Sequence, residues 1–329
     1  MMDIIRRSVP SGLKRRKIEN RISGGRMSST LSVVVPAYNE AATIAQCLER
    51  LVAQTRPADE IIVVDNNSTD GTAEIVDRFA LAHPSVVRIV EREPGVIAAR
   101  RRGYDAADGD LIARTDADSL VPSDWVERIV DFFDGAVGAD YAAFTGLVLT
   151  WDGPSPALQR KLQTFGLGPL KEGGEIGSLH GPNCVVRRPE WNKVRDSLQK
   201  IDGIWDDLDL GLALQEAGLR MYFDPDLEVA ASCRQLRHSP WANRDYIRAG
   251  VRTARGRGND AAVKALRIEL PFRYITFTVM WLLFRPWDES KQNWRPWRLL
   301  VPLRRERHLS TQQSRADHSL APEVEDADR

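Results

Sequence analysis

Cysteine is scarce in this chain. Three residues in 329, Cys47, Cys184 and Cys233, stand far apart with no Cys-x-x-Cys pair among them. That excludes a disulfide framework and a zinc-finger spacing, and a reducing, cytoplasmic setting is the expectation. Net charge is absent too: 46 Lys and Arg balance 46 Asp and Glu, so nucleic acid is not an expected partner of the whole chain. No apolar run approaches the roughly 18 residues of a membrane-spanning helix. The first residues lack the apolar stretch of a signal peptide. The phosphate-binding glycine motifs are also missing, with no Gly-x-Gly-x-x-Gly and no Walker lysine, which sets aside the dinucleotide fold and the P-loop.

What is present begins with uneven charge. Residues 1–30 are rich in Arg and Lys and read as a disordered basic leader, with Met27 an alternative start; residues 309–329 turn acidic at Glu323, Glu325, Asp326 and Asp328 and read as a disordered tail. Between them, a hydrophobic content of 43% can fill a core. Leu31 to Val35, closed by Pro36, is a buried strand running into a loop. Asn39 caps a helix whose apolar face is Ile44, Cys47, Leu48, Leu51 and Val52. Ile61 to Asp65 is a second strand, followed by the turn-rich 66–71 and a helix bearing Ile75, Val76 and Phe79. Val86 to Val90, a helix over 94–107 and a strand over 111–115 continue the alternation. The expectation is an α/β fold with a mostly parallel sheet and helices on both faces.

In such sheets ligands bind beyond the carboxyl ends of the strands. Three segments there are rich in acids and amides: 36–40, 65–67 and 116–118. Asp116 and Asp118, two apart at the end of a strand, would face one way and form a clasp for a hard divalent cation. Asp-x-Asp also arises in ordinary turns, where the carboxylate bonds its own backbone.

Val33 to Glu40 (VVVPAYNE), Ile62 to Thr72 (IVVDNNSTDGT) and Thr115 to Asp118 (TDAD), in that order, resemble the nucleotide-sugar domain of family 2 glycosyltransferases. Gly181 to Arg188 and the acidic helix Trp205 to Gly218 are similar to later elements of that family, so the resemblance runs from about residue 31 to about 232. It implies a GT-A architecture, with a catalytic domain over 31–240 (nucleotide-binding half 31–120, acceptor half 121–240) and a helical, Trp- and Arg-rich region over 241–308. It further implies that Pro36, Tyr38, Glu40, Asp65 and Asn66 line the nucleoside pocket and that Asp116, Ala117 and Asp118 form the motif holding Mg2+ or Mn2+ on the diphosphate. Asp207, with Asp206 as the fallback, would be the base of an inverting reaction. Acids at a helix N-terminus also simply favour the macrodipole, and Asp209 is read as orienting or capping.

Two departures stand out: Arg101, where many members carry asparagine, and Asp206, where glutamate is commoner. Arg100 reads equally as a diphosphate contact or as solvated surface. His238 is a candidate third metal ligand and also a plain surface residue; His180 is a weaker candidate.

The expected activity is an inverting, metal-dependent transfer of a sugar from a nucleotide diphosphate sugar, a UDP-sugar first, to an acceptor hydroxyl that the sequence does not identify, a lipid or lipid-linked one if the C-terminal region lies on a membrane. A nucleotidyltransferase and a noncatalytic sugar-nucleotide binding protein are the alternatives. Pro271 to Phe284 is apolar but too short to span, and Arg285, Trp287, Arg295, Trp297, Arg298, Arg304 and Arg305 follow it. That interleaving suits either a membrane interface at 271–305, on the inner face of the cell membrane, or a packed C-terminal helix.

Overall fold

The computed structural model describes residues 22–301 apart from 24, 25, 166 and 202; most of the basic leader, the acidic tail, Arg304 and Arg305 lie outside the described residues. The leader was expected to be disordered through residue 30, and its last residues are instead anchored. Ser28 Oγ donates to Asp134 Oδ2 at 2.7 Å, Ser29 Oγ to Asp134 Oδ1 at 2.5 Å, and Thr30 Oγ1 to Asp110 Oδ2 at 2.8 Å. Hydroxyls beside carboxylates at the foot of the sheet order this stretch.

The alternation read from the sequence is found. The elements are β1 (Leu31–Ala37), α1 (Ile44–Val52), β2 (Glu60–Asp65), α2 (Thr72–Ala82), β3 (Val86–Val90), α3 (Val96–Ala106), β4 (Leu111–Arg114) and α4 (Trp125–Asp134). There follow β5 (Ala143–Thr150), α5 (Pro156–Phe165), β6 (Gly174–Ile176), β7 (Cys184–Arg187), α6 (Arg188–Val194), α7 (Asp206–Glu216), β8 (Met221–Ala231), α8 (Arg244–Gly256) and α9 (Asp260–Phe284). One eight-stranded sheet runs β3-β2-β1-β4-β7-β5-β8-β6. β3, β2, β1 and β4 are mutually parallel, as is β5 with β8, while β7 is antiparallel to both its neighbours.

Residues of one strand alternate between faces, and the core divides accordingly. Val33, Val35, Ile61, Val63, Leu111 and Ala113 pack with α1, α2 and α4. Val34, Ile62, Val64 and Ile112 pack with α3, α6 and α7. β2 is apolar at four successive buried positions, Ile61 to Val64, because both faces are covered. Gly103 of α3 lies against Val34 and Val64, where a Cβ would collide, so α3 sits unusually close to the sheet.

Two local expectations are corrected. Pro36 does not end its strand but lies inside it, paired with Val64. The pairing with β4 stops at Val34 and Arg114, so the missing N–H of Pro36 breaks nothing on that side. Asn39 is not the cap of α1, which begins after Thr43. It adopts a left-handed φ of 53° and serves the site described next.

The candidate donor and acid–base site

The carboxyl ends of β1 and β2 carry loops bonded to one another. Asn39 N donates to Ser68 Oγ at 3.1 Å, and Thr69 N donates back to Asn39 Oδ1 at 2.8 Å. Glu40 N donates to Thr72 Oγ1 at 2.8 Å and Ala41 N to Asp70 Oδ2 at 3.1 Å. Asn39 tolerates the left-handed conformation because its short amide bonds locally. Tyr38 and Glu40 are buried beside it.

Asp65, also buried, accepts from Ser68 N at 3.0 Å and lies 3.5 Å from the Arg88 guanidinium. Asn66 does a different job from the nucleoside contact expected of it. Both its N–H bonds go to the carbonyls of Glu91 and Glu93, at 2.9 and 2.7 Å, and its Oδ1 accepts from Gly95 N at 2.8 Å. Its donors are spent on shaping the loop before α3.

The acidic pair stands just past β4, in a turn closed by Ser119 N donating to Asp116 O at 3.0 Å. Because the strand ends at Arg114, strand alternation does not govern the pair, and the two carboxylates take different partners. Asp116 Oδ1 accepts from Arg100 Nη2 at 3.2 Å. Asp118 Oδ2 accepts from Arg234 Nη2 at 2.6 Å, and the same guanidinium bonds both oxygens of Glu40, at 2.8 and 3.0 Å. Ala117 is buried between them.

Burial, with the nearby charges of Asp116 and Glu40, pushes the Asp118 carboxyl up to about 6, against the lowering effect of Arg234. Burial and the same three acids push the Cys47 thiol far up, so it is an inert floor beneath them.

Asp206 and Asp207 open α7, with Trp205 at its cap. Their environments differ sharply. Asp206 Oδ1 bonds Arg100 Nη1, and its Oδ2 accepts from Arg114 Nη1 at 2.5 Å. Burial alone would raise its carboxyl, but the two guanidiniums outweigh this and hold it below the usual range. Among the described residues no arginine bonds Asp207: Oδ2 accepts from Gly181 N at 3.0 Å and Oδ1 from Leu208 N at 2.8 Å. Burial and the charge of Asp206 push it up. Arg100 therefore spans both acidic pairs and is no solvated surface residue.

Asp209, further along α7, is buried and accepts from Gln199 and from Arg257 Nη1 at 2.9 Å, tying α7 to the end of α8. Gly218 ends the helix at φ 74°. Leu219 N bonds Leu214 O at 2.9 Å, the six-residue closure of a Schellman turn. Leu210 and Leu214 are buried on the packed side of α7, and Ala217 at its end is exposed.

His238 is not brought to the pair as a third ligand. It follows a short turn over Arg234–Arg237, and its carbonyl accepts from Asn243 Nδ2 at 3.1 Å. Among the described residues no three His, Cys, Asp or Glu side chains converge in a metal-holding group. His180 Nδ1 lies 2.7 Å from the Gly146 carbonyl, so that nitrogen carries the proton. The donor set of Asp116 and Asp118 still fits Mg2+ or Mn2+. Hard carboxylate oxygens suit these ions, which bind through one or two protein carboxylates and leave their other positions to water and phosphate.

Sequence reading missed Arg114 and Arg234. Arg114 did carry a signal: it is the one charged residue of an otherwise apolar strand, and a buried charge needs a partner. Arg234, distant in sequence and on no periodic element, carried none.

An eight-stranded mixed sheet with its acids on the β1, β2 and β4 rim is the GT-A class of fold. A mannosyltransferase from Pyrobaculum calidifontis, solved with GDP-Man and Mn2+, superimposes with a TM-score of 0.60 at 21% identity, covering 81% of this chain and 77% of that one. TarS of S. aureus superimposes at 0.53 with 18% identity, covering 75% and 72%. Residues 32–190, just under half of the chain, match the family model described as glycosyl transferase family 2. Glycosyltransferase AglE of Haloferax volcanii is 40% identical over 115 residues, 33% of this chain and 38% of that protein. The dolichol-phosphate mannosyltransferase of Saccharomyces cerevisiae is 38% identical over 135 residues, 38% of this chain and 50% of that protein. The chain thus spans half or less of the length of these two relatives.

Proposed function

We propose that the protein transfers a sugar from a nucleotide diphosphate sugar, a UDP-sugar first among candidates, to an acceptor hydroxyl with inversion at the anomeric carbon. The observation that carries this reading is the asymmetry of the α7 pair. Asp206 is clamped by two arginines, whereas Asp207 is bonded only by backbone N–H groups and has a raised proton affinity. A base works best when its pKa approaches the working pH. Asp207 takes the acceptor proton, and Asp206 sets the charge beside it.

Asp116 and Asp118 hold Mg2+ or Mn2+ in this reading. A bound cation supplies the charge neutralisation that lets a diphosphate leave without a general acid. Arg100 and Arg234, bonded to the same two carboxylates, bring guanidinium N–H groups to where the diphosphate would sit. Tyr38, Glu40 and Asp65, with the backbone at Pro36, form the wall for the nucleoside; Asn66 supports it from behind. The donor class is also that of the Pyrobaculum calidifontis neighbour, whose structure holds GDP-Man.

A thermal-shift panel of UDP-, GDP- and TDP-sugars with Mn2+ or Mg2+ tests this, because a specific ligand raises the melting temperature with occupancy. One nucleotide is expected to stabilise only with the metal present. Turnover that releases pyrophosphate from a nucleoside triphosphate would instead establish a nucleotidyltransferase. Binding with no transfer to any acceptor would establish a sugar-nucleotide binding protein.

A further inference from the structure

Beyond Glu269, α9 is apolar over most of its circumference, yet only one of its sides is covered. A helix of that kind is normally sunk in a core or set against lipid. Its inner side meets the site: Phe277 lies 6.0 Å from Tyr246, Tyr246 lies 5.4 Å from Trp205, and the Arg273 guanidinium lies 4.5 Å over the Trp205 ring. Trp205 immediately precedes Asp206 and Asp207. The outer side is open: Ile268, Phe272, Ile275, Val279 and Leu282 are between 46 and 67% exposed. Their spacing of four, three, four and three places them on one stripe, about 20 Å long at 1.5 Å per residue.

The stripe does not end with the helix. Trp294 (49%), Trp297 (57%) and Leu300 (87%) are exposed in the segment that follows. Trp294 Nε1 donates to the Leu283 carbonyl at 3.1 Å, which holds that indole against the end of α9. From residue 270 to 287 the chain contains no acid. The 260–301 segment carries seven Lys and Arg (264, 267, 273, 285, 291, 295, 298) against four Asp and Glu (260, 269, 288, 289), an excess of three positive charges. Lys264 and Arg267, both exposed, flank the stripe at its start.

We propose that this outer face of α9, with Trp294 and Trp297, docks on an anionic membrane surface, and that the acceptor is a hydroxyl of a lipid headgroup there. The acceptor clause rests on the transferase reading given above; the docking does not. Indoles at the edge of an apolar stripe and cations beside it are what a bilayer interface accommodates. No helix among the described residues is long and apolar enough to cross a membrane, so the contact lies along the surface. A second copy fits less well, because Glu269, the acid beside the stripe, is already paired with Arg273 at 3.1 Å and is not free to meet a partner's Lys264. One helix diameter, about 10 Å, separates the outer face of α9 from its inner face, where Trp205 and Tyr246 adjoin the base.

The test is co-sedimentation of the full chain with vesicles of phosphatidylcholine alone or mixed with phosphatidylglycerol. Binding to the mixed vesicles is expected to be roughly tenfold tighter at low salt, with the preference lost at high salt. The triple variant Phe272→Ser, Ile275→Ser, Val279→Ser is expected to partition at least roughly a hundredfold less, with its nucleotide-dependent thermal shift unchanged. Should that variant not fold, Lys264→Gln with Arg267→Gln is expected to abolish the preference for anionic vesicles alone. Absence of wild-type binding to either vesicle overturns the docking. So does a dimer that the serine variant converts to a monomer while vesicle binding stays equal. Vesicle binding and donor turnover without any glycosylated lipid product overturn the acceptor assignment only.

Discussion

The rim pair, Asp116 and Asp118, and the helix pair, Asp206 and Asp207, offer the same functional groups in two settings that arginine treats differently. At the rim each carboxylate has one guanidinium, shared outward with another acid. On α7 both guanidiniums go to one residue and its neighbour gets none. Balanced neutralisation leaves one guanidinium on each carboxylate of the rim pair. Lopsided neutralisation splits the proton affinities of a buried pair and leaves one member free to act as a base.

The largest effect that would break this distinction is Asp207→Asn. Turnover is expected to fall about 10²- to 10⁴-fold, the usual contribution of a general base, with metal-dependent nucleotide binding retained in a thermal-shift assay. Full activity would end the assignment and pass the role to Asp206.

Arg114→Met comes next. It takes one of two cations from a buried carboxylate, and the cost is expected at up to about 3 kcal/mol by denaturant unfolding, since Arg100 still bonds Asp206 and limits the loss. Arg114 also lowers Asp207 directly, and Arg100 keeps Asp206 ionised, so the change is expected to push Asp207 further up. The acid limb of the rate profile then moves to higher pH, a shift that simple destabilisation would not produce.

Asp118→Ala is expected to weaken metal-dependent nucleotide binding by at least roughly tenfold, as loss of a direct ligand must exceed the loss of a supporting residue. In the unaltered protein, the raised Asp118 value of about 6 has two consequences of opposite sense. Its folded value lies above the unfolded one, so the stability it contributes is present at low pH and lost as pH rises through about 6. Metal binding needs the deprotonated form and is expected to weaken as pH falls below that point, measurable by titration with Mn2+.

The strands were legible because burial on both faces leaves an unbroken apolar run, as in Val33 to Val35 and Ile61 to Val64. Helix α1 was legible because one apolar face repeats. The chemical assignment within each acidic pair was not. Asp206 and Asp207 are adjacent and alike in sequence, and what separates them arrives from Arg100 on α3 and Arg114 on β4, residues brought near only by the sheet. Asn39 misled for a related reason: as a type it suits a helix cap, but a cross-loop bond partner 30 residues away competed and won.

That partner gives the loop pair a further meaning. The backbone N–H groups of Asn39, Glu40, Ala41 and Thr69 all bond side chains across the gap between β1 and β2. The wall proposed to face the nucleoside is therefore ordered when the chain folds, before any ligand arrives. Its conformational entropy is already lost, so nucleotide affinity need not cover an ordering cost on this side of the cleft.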